Sequence, residues 1–203
     1  LLSILIPVYN RDVTELISQL HDQSVEVNET VEIIVLDDCS DERYQVKNRI
    51  VGSNSIVIYQ ELPTNVGRSK IRNRLATLAS HDNLLFVDCD CVPYKENYLQ
   101  QYIDVLSQEN VSVICGGIRY EDSIPASDFR LHWNYGSNRE AISAAKRNLN
   151  AHWYVSGANL TVRKSIWQQV SMDESIANYG YEDIAWGQQA SKLTTIKHID
   201  NPV

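Results

Sequence analysis

Short β-branched apolar runs alternate with helical patterns through the first half of this chain, and no other feature narrows its fold so far. The runs are Ile4 to Val8, Val31 to Leu36 and Ser55 to Glu61, and helical stretches from Asp12 to Gln23 and from Asp41 to Val51 separate them. Strands that succeed one another through helices pair in parallel, and a parallel sheet needs helices on both faces. The spacing therefore predicts an α/β fold with a mostly parallel central sheet flanked by helices. Asp12 followed by Glu15 has the form of a capping box, ahead of Val13, Leu16, Ile17 and Leu20 at the spacing of one buried helix face. The same reading predicts a helix over 66–79, a strand over 83–87, a helix over 94–108 after Pro93, and a buried strand over 111–117.

From Ile118 to Asn150 regularity lapses into polar and aromatic residues with a short helical stretch over 139–147, and loops of this length inside a domain are usually functional. It resumes with a strand within 154–163 and helices over 164–170 and 182–192. At 203 residues the chain fits one domain. No apolar run approaches the roughly 18–20 residues that span a bilayer. The net charge of −8 repels a phosphate backbone, which argues against nucleic acid and leaves small anions met by local cations or a bridging metal. Cys39, Cys89, Cys91 and Cys115 lack the spacing of a disulfide scaffold and read as reduced, buried thiols of a cytosolic protein. The opening Leu1-Leu2-Ser3-Ile4 has neither initiator Met nor leader pattern and reads as the start of an excised piece.

Four acidic or basic segments carry candidate chemistry. Leu84-Leu85-Phe86-Val87 runs into Asp88-Cys89-Asp90-Cys91, so period-two alternation would put Asp88 and Asp90 on one face at a strand's carboxyl end, where open α/β sheets bind ligands. Their hard oxygens suit Mn²⁺ or Mg²⁺, although a solvated acidic turn has the same sequence. Ile33 to Leu36 delivers Asp37 and Asp38 into a turn, where a carboxylate can accept from a base N–H or from ribose, or cap the next helix. Asn65-Val66-Gly67 opens a helix whose Arg68 and Arg72 share a face, with backbone N–H groups at its start; both suit a diphosphate or the acidic loops. Glu182-Asp183 begins a late helix, as a general base would or as charges that favour a helix N-terminus.

Together these segments resemble the family-2 glycosyltransferases of GT-A, Rossmann-like fold. The resemblance rests on Pro7-Val8-Tyr9-Asn10, Asp37-Asp38-Cys39-Ser40, Asn65-Val66-Gly67 with Arg72-Asn73, Asp88-Cys89-Asp90, Ser156-Gly157-Ala158-Asn159, Met172-Asp173-Glu174 and Glu182-Asp183, in this order. It implies a nucleotide-sugar half over 1–117 and an acceptor and catalytic-base half over 118–203. Pro7, Val8, Tyr9, Asn10 and Asp38 would hold the nucleotide, Asp38 facing a uracil N–H; Arg72 would brace the donor pocket; Asp88 would touch ribose or metal. Asp90 would be the main ligand of Mn²⁺ or Mg²⁺, Asp183 the base, and Glu182 its neighbour. Trp153, Gly157 and Asn159 would lie on the acceptor side. Cys39 stands where such chains often have Gly, and a late histidine often completes the metal shell; His198 is the one near the end, in a segment that looks cut short.

The implied activity is inverting transfer of a single sugar from a UDP-sugar to a hydroxyl of a saccharide or lipid-linked saccharide, as in bacterial surface polysaccharide or glycan synthesis. The processive signature Gln-x-x-Arg-Trp is absent after Glu182-Asp183. A cytoplasmic place follows, with peripheral contact at the membrane's cytoplasmic face. The competing readings are an inactive nucleotide-sugar or carbohydrate-binding module of the same fold and, behind it, a sugar nucleotidyltransferase. The latter needs a Gly-rich basic loop where this chain has Tyr9-Asn10-Arg11-Asp12.

Overall fold

The computed structural model describes residues 1–108, 111–176 and 180–203. Among them, seven strands form one mixed sheet. In chain order these are β1 (Leu2–Val8), β2 (Val31–Asp37), β3 (Val57–Glu61), β4 (Asn83–Val87), β5 (Val113–Cys115), β6 (Asn159–Arg163) and β7 (Ile196–His198), and across the sheet they run β3-β2-β1-β4-β6-β5-β7. The helices are α1 (Thr14–Glu26), α2 (Glu42–Asn48), α3 (Arg68–Leu78), α4 (Tyr98–Gln108), α5 (Arg130–Arg139), α6 (Ala144–Arg147), α7 (Lys164–Gln169) and α8 (Glu182–Ala190).

Side-chain alternation builds two cores on the two faces of this sheet. Ile4, Ile6 and Val8 of β1 with Leu85 and Val87 of β4 meet Leu16, Ile17 and Leu20 of α1 and Tyr98, Leu99 and Tyr102 of α4. Leu5, Leu84 and Phe86 point the other way and meet Ile71 and Leu75 of α3, Trp167 of α7 and Trp186 of α8. Each such side chain, withdrawn from water, contributes about 1.5–3 kcal/mol, so the three layers hold one another in place. Pro7 is tolerated in a central strand because the β1–β4 ladder has already ended at Leu5–Phe86.

The chain winds outward from β1 through β2 to β3 and then crosses back to β4 on the other side of β1, which opens a crevice at the carboxyl ends of β1 and β4. The expected mostly parallel sheet is interrupted by β6, antiparallel to both β4 and β5. Its entry, residues 155–158, therefore arrives at that same edge. The predicted strand over 154–163 is confined to 159–163, because 148–154 form 3₁₀ turns. The helical stretch expected over 139–147 is instead α5 followed by the single turn of α6. The sequence of α5 has little apolar periodicity, and Gly136 is its one buried residue, lying under the Tyr120 ring. The expected capping box does not form: α1 begins at Thr14 after Val13 with no side-chain cap bond, and Asp12 Oδ1 accepts from the Thr14 N–H and hydroxyl rather than from Glu15. Cys115 is buried and Cys89 and Cys91 are half-buried, but Cys39 is exposed, contrary to expectation; all four are free thiols.

Two polar hubs fasten the later half to the sheet edge. Asn159 is buried with its Oδ1 accepting from the hydroxyls of Tyr98 and Tyr102, while its Nδ2 donates to the carbonyls of Gly117 and Asn201. Its amide is fully engaged within the fold, which corrects its expected acceptor-side role. Arg147, also buried, donates to the carbonyls of Gly116, Ile142 and Ile199, and its Nη1 meets His198 Nδ1 at 2.9 Å. Burial, with Arg147 alongside, pushes the His198 pKa from 6.5 down to about 4. The folded state thus favours the neutral imidazole, and the stability this carries is complete above pH 6.5 and lost as pH falls towards 4. We expect His198→Gln to remove an acid-dependent loss on the order of 2–3 kcal/mol between those values, read from urea midpoints at stepped pH.

Candidate active site

Five charged side chains from α3, the exit of β4 and the start of α8 converge at the carboxyl edge of the sheet. Arg72, on the buried face of α3 and 1% exposed, donates from Nη2 to Asp88 Oδ1. Arg68, one helical turn earlier, reaches Glu182 Oε1 with Nε at 2.6 Å and lies 3.7 Å from Asp88 Oδ2 through Nη2. Glu182 is 4% exposed, and its other oxygen accepts the Gly180 N–H. Asp183 Oδ2 accepts the Gly157 N–H at 2.9 Å, which joins α8 to the entry of β6.

Two of these five side chains have an unmet polar atom, and both atoms border Gly157. Arg72 Nε and Asp183 Oδ1 are both buried without a hydrogen-bond partner, and a Cβ on Gly157 would stand 2.7 Å from the first and 3.0 Å from the second. Burial raises the Asp183 pKa, with Asp88 and Glu182 adding to the effect and Arg72 and the Gly157 N–H opposing it. A carboxylate made more basic and lacking a partner on one oxygen is chemically suited to take a proton.

The neighbouring loops carry backbone strain. Asn10, Cys39 and Tyr181 have φ of 52°, 63° and 69°, a region costly for side-chain-bearing residues, and they sit at the exits of β1 and β2 and the entry of α8. The left-handed φ of Cys39 explains why Gly is frequent there in similar chains. The Asn10 N–H donates to Ser40 Oγ and its Oδ1 accepts the Asp41 N–H, so the first two loops brace each other. Tyr9 projects from this brace, 55% exposed. Asn73, beside Arg72, bonds Met172 through its backbone N–H and carbonyl, and Glu174 through its side chain, tying the Met172-Asp173-Glu174 segment to α3.

The geometry matches a family as well as a chemistry. Residues 3–170 match the model of glycosyl transferase family 2. The chain belongs to that family. Among solved structures it is similar to residues 1–349 of S. aureus TarS, alone (19% identity, TM-score 0.68, 98% of this chain and 58% of that one) and in complex with UDP (20%, 0.68, 98% and 57%). It is also similar to the mannosyltransferase PcManGT from Pyrobaculum calidifontis in complex with GDP-Man and Mn²⁺ (14%, 0.67, 99% and 54%). The chain thus spans under two thirds of these structures. No curated protein matches it. These likenesses bear out the GT-A type of α/β fold for a family 2 glycosyltransferase.

Several expected site residues stand elsewhere than the sequence implied. Val8 packs into the core beneath the crevice and presents no side chain to a nucleotide, whereas Pro7 is half-buried. Asp38 is buried, and its two oxygens accept the N–H groups of Val66 and Gly67, closing the turn into α3. That use accounts for the amides expected to await an anion there, and it braces Asp38 in the turn. β4 ends at Val87 and a turn follows, with the Cys91 N–H on the Asp88 carbonyl. Strand alternation therefore does not govern the pair: Asp88 meets the arginines and Asp90 is exposed. His198 has both ring nitrogens engaged, Nε2 with the Ala151 carbonyl and Nδ1 with Arg147, so it has no lone pair for a metal. Trp153 is exposed, and Tyr179, which precedes Gly180 in the late motif, lies outside the described residues.

A divalent cation fits this donor set in one way. Among the described residues no three His, Cys, Asp or Glu side chains group as a protein-only cage. Asp90 is instead an exposed hard oxygen donor beside Asp88, which suits Mg²⁺ or Mn²⁺ bound by one or two carboxylates together with substrate phosphates. A cavity of about 210 Å³ lined by Gly117, Arg119, Ser143, Arg147 and Asp200 lies along the edge and shares no residue with the charged cluster, whose chemistry marks the site. Gly157 has no left-handed φ, so Gly157→Ala tests sterics alone. Its methyl would press on Arg72 Nε and Asp183 Oδ1, and we expect sugar transfer to fall at least about 100-fold, as misplacement of a catalytic group does, with a melting-temperature loss of only a few degrees.

Proposed function

We propose that this chain transfers a single sugar from a nucleotide diphosphate sugar, a UDP-sugar first among candidates, to an acceptor hydroxyl with inversion and with the help of a divalent cation. The observation that supports this reading is that Asp183 and Arg72 flank Gly157 while Asp88 pairs with both Arg72 and Arg68, so that a carboxylate made more basic stands next to groups that would face a leaving diphosphate.

In this mechanism Asp183 accepts the proton of the acceptor hydroxyl as its oxygen attacks the anomeric carbon, and the glycosidic bond to the diphosphate breaks in the same step. Asp90, with Asp88 beside it, would hold the cation, which when bound supplies neutralisation of the departing diphosphate. Arg72 fixes Asp88 and lends positive potential, while Gly157 leaves room beside Asp183 and holds its other oxygen, Oδ2, through its N–H. The exposed ring of Tyr9 and the Asn10 brace offer a seat for the base. TarS in complex with UDP and with UDP-GlcNAc favours uracil, and PcManGT with GDP-Man and Mn²⁺ favours the metal. The exposed Trp153 offers an apolar face to an acceptor sugar. Among the described residues no helix is long and apolar enough to cross a membrane, and a saccharide or lipid-linked saccharide acceptor would then be met at a surface.

The competing reading, an inactive module of the same fold, predicts donor binding without turnover. Incubating the chain with a panel of nucleotide sugars and Mn²⁺, and measuring nucleotide diphosphate release with and without saccharide acceptors, separates the two. We expect release with at least one UDP-sugar, and a loss of about 10²–10⁴-fold in Asp183→Asn with UDP affinity retained. Full turnover by Asp183→Asn would remove that residue from the mechanism.

A further inference from the structure

Arg68 occupies an unusual position for a residue that serves only to brace the fold. Its side chain is 43% exposed, against 2% for Arg72, yet it makes the 2.6 Å contact with the almost wholly buried Glu182. Glu182 in turn holds the Gly180 N–H, and the turn it closes contains Gly180 at φ 104° and Tyr181 at φ 69°. That turn leads directly into Asp183, whose Oδ1 is sealed from solvent. In this arrangement the oxygen that should meet a hydroxyl is out of reach.

The same guanidinium borders the place where a diphosphate would arrive. Arg68 is the first residue of α3 and lies beside Asp88, two residues before the exposed Asp90. The Val66 and Gly67 amides just ahead of it are already taken by Asp38, so an anion there meets the Arg68 side chain rather than those backbone donors. The cluster holds three carboxylates, Asp88, Glu182 and Asp183, against two arginines. An arriving diphosphate therefore competes with Glu182 for a scarce positive charge.

We propose that Arg68 is a latch that answers to the donor. Without nucleotide it clamps Glu182 and the 180–183 turn; a diphosphate held beside Asp88 and Asp90 draws the guanidinium away, and the turn relaxes to present Asp183 to the acceptor. This rests on the nucleotide-sugar reading above and adds an order to it, donor before acceptor. Arg68 is on this account a positioning residue as well as a diphosphate ligand, and Glu182 is its competitor.

Opposite signs from two substitutions test the latch. Calorimetric titration of the full chain with UDP and Mn²⁺, and separately with uridine, would be run on Arg68→Ala, Arg68→Lys and Glu182→Gln beside the unaltered protein. We expect Arg68→Ala to weaken UDP about tenfold, as loss of one charged hydrogen bond does, with Arg68→Lys in between. Glu182→Gln should tighten UDP, because the competing carboxylate is gone, and uridine affinity should stay level throughout. UDP affinity falling in both Arg68→Ala and Glu182→Gln, or uridine shifting as much as UDP, overturns the latch while leaving the donor reading intact. Should Glu182→Gln fail to fold, equal UDP affinity in Arg68→Ala and Arg68→Lys overturns it as well. No UDP binding by the unaltered chain overturns both.

Discussion

The burial of Arg72 against Asp88 is the constraint around which the site is organised. A guanidinium that cannot be deprotonated is held almost entirely out of water, and it is tolerable there because a carboxylate at the exit of the central strand β4 stands against it. Removing Asp88 leaves the buried guanidinium without its ion-pair partner, a loss of about 3–5 kcal/mol in comparable buried pairs. The pair fixes the pitch of α3 on the sheet, and it forces the turn after β4 to direct Asp88 inward and leave Asp90 outside. It also dictates glycine at 157, since any side chain there would run into the guanidinium. The basicity of Asp183 is set within the same frame, as burial raises it and Arg72 holds it back.

Topology explains why these groups meet. The reversal of strand order between β1 and β4 leaves a crevice that no crossover covers, and the antiparallel β6 brings a third segment, Ser156 to Asn159, back to it. Loops converging on such a crevice cannot all be relaxed. Asn10, Cys39 and Tyr181 adopt left-handed backbone conformations, which cost on the order of 1–3 kcal/mol each and persist because side-chain bonds such as Asn10 with Ser40 and Glu182 with Gly180 over-determine them.

How much of this was legible in the sequence depended on whether the signal was periodic or merely local. The first four strands and the helices between them announce themselves by alternation and by a 3–4 stripe, and β4 spans the predicted residues 83–87. Glu182-Asp183 and Arg72 were recognisable because the resemblance placed them in order with other motifs. The bonds of Asp38 to the two N–H groups ahead of α3 were not, because a carboxylate in a turn has the same sequence with or without them. Nor could strand alternation carry through Asp88 to Asp90, since it stops with the last ladder partner, Val87. The helix α5 escaped because its residues are almost all solvent-facing, and the engagement of His198 with Arg147 joins residues 51 apart that no local pattern links.

The two halves of the domain are held by different physics, and this bears on how the site can work. The first half rests on continuous apolar layers around β1, β2 and β4, whose displacement would expose many buried side chains at once. The segment from Gly116 to Tyr154 leaves Phe129, Leu131, Tyr135, Leu149 and Trp153 exposed and is tied to the sheet mainly by Arg147, Asn159 and the Asp200 carboxylate, which accepts the Ala144 N–H. Hydrogen bonds of this kind can be exchanged one at a time for bonds to water or ligand, at a net cost of about 0.5–1.5 kcal/mol each. Rearrangement of this segment is therefore far less costly than displacement of the layers around β1, β2 and β4. On the mechanism proposed above, a rigid seat for the leaving group beside an adaptable wall for the acceptor would let the first be in place before the second is admitted.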